Sequence, residues 1–383
     1  MRGPTGHYEV TSTAGEEVRA FVPDPLPPRD LVLTTSDHVL LEMANRALGR
    51  LDGFARLLPE PGLFVYGYVR REAVLSSQIE GTQSTLNELL AFENDQAPGV
   101  PVSNDVLEVS NYVQAMEYGL ERLSSLPLSI RLLREIHGHL LKSSRGGDKA
   151  PGEIRRSQNW IGGSRPGNAA YVPPPPHLVM NCLGALELFL QNQPEPYPTL
   201  MKAALSHVQF ETIHPFLDGN GRLGRLLITF LLVHESALTQ PLLYLSLYFK
   251  THKQEYYSLL QAVRTEGRWE DWLRFFLRGV SEVSDSAVTK ANRILDLFRA
   301  DRLMIEAKLG RKAGSALRVQ EQMQRTPFVK IPNLATTLNV SKPTIAAAIE
   351  ELEALALVKQ LGDQKRGRTF YYVEYLKILN EDM

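Results

Sequence analysis

The sequence predicts a mainly α-helical protein: a helical core carrying a small β-hairpin, preceded by further helices and closed by a helix-turn-helix with two β-prone runs. Three observations predict this. Apolar residues recur three and four apart over most of the chain from Ser36 to Arg299. A glycine-rich stretch, His214 to Arg225, separates two apolar helical segments. The tail beyond Asp301 changes to short helices followed by short strand-like runs.

Composition sets the bounds. A chain of 383 residues is long for one core, so two or three domains are expected. With 43% apolar and 22% charged residues and a formal net charge of −1, the whole chain is no general polyanion binder. Its single cysteine, Cys182, excludes an intramolecular disulfide, and the apolar setting MNCLGALELFL reads as a buried, inert helical thiol. The longest apolar run, LLITFLLV, is far short of the roughly 20 residues of a membrane span. The N-terminus lacks the apolar run of a secretory signal, so a cytoplasmic protein without membrane partners is expected.

In chain order, residues 1–35 contain PDPLPPRD and little periodicity, which reads as an extended arm laid over the surface or disordered. Residues 36–100 form an N-terminal helical region: one helix to about Leu58 on Val39, Leu40, Met43, Leu48 and Leu51, and another from about Phe64 to Ile79, ending before Gly81. Residues 101–300 form the core, with helices over about 103–123, 129–141, 176–192 and 198–213 and more helix through Arg299. Between them, SQNWIGGSRPGNAAYVPPPP has β-prone ends around a Gly, Ser and Pro-rich centre, which reads as a hairpin with an irregular tip. Residues 301–383 resemble a winged helix: Ile331–Leu338, a turn at Asn339, then Ser341–Leu355 capped by Ser341, followed by LVKQL and RTFYYV around GDQKRG.

The chemistry lies in FETIHPFLDGNGRLGRLLITFLL. Backbone N–H groups at Gly219–Gly221 can converge on an anion at the positive end of the following helix. Within twelve residues stand a histidine, a carboxylate and two arginines, the parts a nucleotidyl or phosphoryl transfer needs. Arg222 and Arg225, three apart, can address one polyphosphate with forked donors. A calcium-loop reading of DGNG fails because Arg222 and Leu223 stand where an oxygen ligand and a glycine are needed. His207 has no third ligand at zinc spacing and reads as structural; His137 and His139 lie on different helix faces and read as packing or surface residues.

HPFLDGNGRLGR matches the signature of the Fic family at every defining position. The resemblance implies a protein adenylyltransferase that moves AMP from Mg-ATP to Tyr, Thr or Ser hydroxyls, its own included. It implies His214 as general base, Asp218 as the Mg²⁺ ligand, and Gly219, Asn220, Gly221 and Gly224 in the phosphate-binding turn. It also implies Arg222 and Arg225 on the β- and γ-phosphates. The hairpin, with Gly162, Gly163 and Tyr171, resembles the family's flap, which aligns a target segment by β-augmentation. Tyr256 and Tyr257 fall where members commonly build the adenine pocket. SSQIEG, Ser76 to Gly81, is similar to the family's inhibitory motif, in which Glu80 would pair with Arg225 and obstruct the γ-phosphate; Ser76 and Glu80, four apart, share a helix face. A homodimer is also implied. The alternatives are another phosphate-linked transfer on the same fold, or a nucleotide-sensing transcriptional regulator. For the tail, dimerisation or target recruitment is favoured over DNA binding. From Pro327 to Met383 it carries seven basic and seven acidic residues, and its second helix presents Glu350, Glu351 and Glu353 against Lys342. The wing bases Lys359, Lys365, Arg366 and Arg368 are the remaining argument for DNA.

Overall fold

The computed structural model describes residues 2–13, 15–57, 61–94, 103–142, 146–362 and 367–381. The expected N-terminal arm is an antiparallel hairpin, β1 (Gly6–Thr13) and β2 (Glu16–Pro23), with Tyr8 opposite Phe21 and Val10 opposite Arg19. By themselves the prolines of residues 23–28 favour an extended chain. The alternation in EEVRAFVP decides otherwise, because it buries Val18, Ala20 and Val22 on one face.

Helix α1 (Thr35–Leu57) begins at a tight polar clasp: Asp37 accepts from the Thr34 N–H and from Arg274, which holds its carboxyl well below the usual carboxylate range. Next come α2 (Pro61–Ile79), α3 (Leu86–Asn94), α4 (Asn104–Arg122) and α5 (Ile130–Leu140); Ser103 and Ser129 cap the last two. The middle continues with α6 (Pro176–Leu190), α7 (Thr199–Ile213), α8 (Asn220–His234), α9 (Ser246–Thr251) and α10 (Lys253–Glu266). Helix α11 (Trp269–Leu309) is one unbroken helix running alongside α1 and past the boundary expected near Asp301.

Helices α7 and α8 are buried along most of their lengths, and α4 crosses α8 at Gly119. A Cβ on Gly119 would lie 2.4 Å from Cζ of Phe230, itself fully buried. Gly119→Ala is therefore expected to destabilise the protein. Overpacking costs ~1–3 kcal/mol, against ~1 kcal/mol gained from alanine in a helix. A melting temperature equal to or above wild type would show that α4 can slide off Phe230.

The tail contains α12 (Ala313–Arg325), β3 (Phe328–Lys330), α13 (Ile331–Leu338), α14 (Lys342–Ala354), β4 (Val358–Leu361), β5 (Thr369–Tyr372) and α15 (Val373–Asn380). Its sheet has the order β3-β5-β4, all antiparallel. Asn339, left-handed at φ 51°, makes the turn between α13 and α14, and Ser341 caps α14 through the Thr344 N–H. Lys365 and Arg366 lie outside the described residues. The tail sits on α2: buried Arg71 donates to the carbonyls of Leu379 and Glu381, and Leu379 packs against Gly67. Among the described residues, no helix is long and apolar enough to cross a membrane.

Candidate active site

The site is the turn between α7 and α8. His214 ends α7 in the left-handed region, φ 48° and ψ 60°, and Gly219, at φ 76°, starts α8. The Asn220 side chain closes the turn on itself: its Oδ1 accepts from the Phe216 N–H and its Nδ2 donates to the Phe216 carbonyl, both at 2.9 Å. Asn220 thus shapes the cradle with its side chain and leaves the backbone N–H groups of the first α8 turn to face an anion.

Two residues that sequence reasoning did not connect with the loop hold it from outside. His137 Nδ1 accepts from the Gly152 N–H at 2.8 Å, which places the ring proton on Nε2, donated to the Asp218 carbonyl at 2.9 Å. Its ring stacks on Phe216, centroids 3.8 Å apart, and burial pushes its pKa down to about 4, so it stays neutral. Buried Arg155 donates to the His214 carbonyl at 2.9 Å and to the Pro174 carbonyl. Neither pairing is local in sequence, so neither carries a periodic signal.

Burial, then the charges of Arg155 and Arg264, push the His214 pKa down to about 3. An imidazole so depressed is neutral at physiological pH and can accept a proton. Protonation of a base lowers activity, and a lowered pKa moves that loss to more acid pH. The acid limb of kcat/KM, which reports the free enzyme, is therefore expected well below pH 6.5. A limb near 6.5 would mean that His214 is not so desolvated.

Glu80 lies directly over the cradle. A Cβ on Gly221 would fall 2.2 Å from Glu80 Oε1, so the carboxylate occupies the space above the α8 N-terminus where an anion would bind. Arg225, buried, donates from Nη2 to Glu80 Oε1 at 2.7 Å and to the Ser76 carbonyl at 2.9 Å, and from Nε to Ser76 Oγ at 2.8 Å. Burial raises the Glu80 pKa, but the charge and hydrogen bond of Arg225 outweigh it, leaving the group ionised below its ordinary range. Gly81 follows at φ 100°, where the chain leaves the helix.

The other expected residues divide. Half-exposed Asp218 turns Oδ1 to the Gly219 N–H, and Arg222 is buried beside it. Gly224 serves packing: a Cβ there would meet Glu211 Oε1 at 2.3 Å, and its carbonyl pairs with His207 Nδ1 at 2.9 Å. Tyr256 is core, its hydroxyl 2.8 Å from His207 Nε2, which gives His207 the structural role expected of it. Tyr257 is 43% exposed at the rim. Cys182 is buried, and burial pushes its thiol up to about 11.

The flap hairpin is reduced to one antiparallel pair, Ile161 with Tyr171, closed by a 3-10 turn at Pro166–Asn168. Gly162 and Gly163 are both left-handed, and a Cβ on Gly163 would strike the Asn168 carbonyl at 2.5 Å. Tyr171 is buried and donates to the Thr212 carbonyl at 2.6 Å beneath the Arg264 guanidinium. The N-terminal hairpin braces the flap: the Phe21 N–H donates to the Val172 carbonyl, and Glu16 accepts from the Gly167 N–H and pairs with Arg165.

Residues 38–121 match the Fic/DOC family N-terminal region and residues 127–232 the Fic/DOC family itself. The chain is 29% identical over 169 residues to a probable protein adenylyltransferase of Aquifex aeolicus, covering 44% of this chain and 49% of that protein. It is 35% identical over 125 residues to the protein adenylyltransferase Fic of Aedes aegypti, covering 32% and 22%. It thus spans about half or less of the length of these relatives. A crystal structure of a Fic family protein from Desulfovibrio desulfuricans superposes with a TM-score of 0.59 at 19% identity, over 91% of this chain and 98% of that one. A Fic domain containing signaling protein from Bacteroides thetaiotaomicron gives 0.51 at 18%, over 66% and 95%. At these identities the likeness is one of fold.

Proposed function

We propose that this chain, whose residues 38–121 and 127–232 match the Fic/DOC family regions, transfers AMP from ATP to a hydroxyl side chain of a protein and is held back by its own Glu80. The observation that carries the proposal is the Glu80 carboxylate, bound to Arg225 over the α8 N-terminus as a stand-in for phosphate, with neutral His214 at the other end of the same turn.

In the proposed reaction the α8 backbone N–H groups and the two arginines bind the triphosphate, and Arg225 becomes available to it when Glu80 leaves. His214 takes the hydroxyl proton as the acceptor oxygen bonds to the α-phosphorus; the bond to the β-phosphate oxygen breaks and pyrophosphate departs. Asp218 fits a Mg²⁺ ion: its carboxylate is partly exposed beside the cradle, and this ion is commonly held by one or two carboxylates plus substrate phosphates. Bound there, Mg²⁺ would neutralise phosphate charge. The flap, with backbone groups around Gly162 and Gly163, would align the target strand, and the exposed Tyr257 would border the adenine. The tail is assigned to dimerisation or target recruitment, in keeping with its balanced charge, and the protein to the cytoplasm.

Intact-mass measurement of the Glu80→Gly protein with Mg-ATP tests the reaction, with other nucleotides and CDP-choline run in parallel. A mass gain of one AMP, from ATP alone, is expected. A gain from a different donor, or no covalent gain from any, would overturn the proposal.

A further inference from the structure

We infer that Glu108, in α4, is a positioning residue for triphosphate binding: it fixes Arg222 in place beneath the cradle. The inference rests on the phosphate-binding reading of the loop. Glu108 Oε1 lies 2.8 Å from Arg222 Nη1, and the two side chains are 1% and 2% exposed. The other terminal nitrogen, Nη2, lies 3.6 Å from Asp218 Oδ1. The guanidinium is thus held between a sealed carboxylate from a distant helix and a half-exposed one on the loop.

The two motif arginines are held in different ways, and the difference separates restraint from support. Arg225's carboxylate partner stands just past the end of α2 with a third of its side chain exposed, so it can swing into water. Glu108 cannot. It lies inside α4 among buried neighbours, Val109 and Tyr112 in the core and Asn111 tied to the Lys142 carbonyl at 2.5 Å. Drawing Arg222 off toward a phosphate would break an ion pair sealed in the interior, which is strongly disfavoured. Arg222 therefore keeps Glu108 throughout turnover and offers the triphosphate only its remaining donors and its charge. Glu108 sets where that charge sits relative to the Gly219–Gly221 N–H groups; it does not compete for it.

The consequence depends on the number of phosphates, which a merely structural role would not reproduce. In the Glu80→Gly protein, Glu108→Gln keeps the side-chain shape and removes the charge. Calorimetric dissociation constants for ATP, ADP and AMP with Mg²⁺ are expected to rise about tenfold or more for ATP, less for ADP, and not at all for AMP. An equal loss for all three, no loss, or tighter ATP binding would each overturn the inference, the last by making Glu108 a second restraint. Should Glu108→Gln fail to fold, Glu108→Asp, which keeps the charge and shortens its reach, is judged by the same ATP-to-AMP comparison. If the Glu80→Gly parent binds ATP yet transfers no AMP, the transfer reading fails while this comparison still decides the role of Glu108.

Discussion

Replacing His214 by alanine lowers AMP transfer by about 10²–10⁴-fold, the factor a positioned general base contributes. This corresponds to roughly 3–5 kcal/mol of transition-state stabilisation. The effect falls on kcat and leaves ATP affinity near that of the parent, because the phosphate contacts come from the start of α8 and the arginines. The Arg155 hydrogen bond to the residue 214 carbonyl and the Asn220 clasp on Phe216 are backbone contacts that the substitution does not remove. The loop therefore survives it. The measurement is labelled AMP incorporation in the Glu80→Gly background, with ATP affinity determined separately. Retained incorporation would remove His214 from the chemistry, and a matching loss of ATP binding would make it a structural residue of the cradle.

The site could be read from the sequence where it is local, and not where it is held from a distance. Every group between His214 and Arg225 is brought together by one turn between two apolar helices, so twelve consecutive residues specify it. Ser76 and Glu80 were legible for the same reason, four residues apart at the end of α2 and just beyond it. His137, Arg155 and Glu108 reach the loop from elements far away in sequence, and single-chain periodicity shows only that their helices or turns exist. His137 shows the limit: the expectation of a packing or surface residue was right about packing, but its two ring nitrogens are both spent on the backbone around the loop.

The fold divides in the same way. Helices α1, α4, α5 and α6 follow their apolar spacing closely, because a helix buried on one face must repeat that spacing. The hairpin β1–β2 did not stand out, since its inward residues make sense only once the flap and α7 are present to cover them. The end of α11 was misplaced for a related reason. Arg299, Asp301 and Arg302 look like a polar boundary, yet Asp301 is buried and accepts from the Tyr372 hydroxyl at 2.7 Å, so the helix continues beneath the tail.

Replacing Glu80 by glycine raises AMP transfer by about tenfold or more. A charge-assisted hydrogen bond contributes about 1.5–3 kcal/mol, and the exposed third of the Glu80 side chain places this one toward the lower end. The arithmetic of populations turns that energy into a competent fraction larger by the same factor. Arg225 does not collapse when Glu80 goes, because Ser76 still accepts from its Nε and Nη2, so the cation stays aimed at the cradle. The space above Gly221 opens as well, which a weakened ion pair alone would not achieve. Glu80→Gln separates these two contributions: it removes the charge but leaves an amide over Gly221, and its activity is expected to lie between wild type and Glu80→Gly. Incorporation of labelled AMP by the three proteins at equal concentration orders them. If the glutamine variant matches the glycine variant, charge alone restrains the site; if all three are equal, Glu80 is not an inhibitor and the pairing with Arg225 is only a helix-end contact.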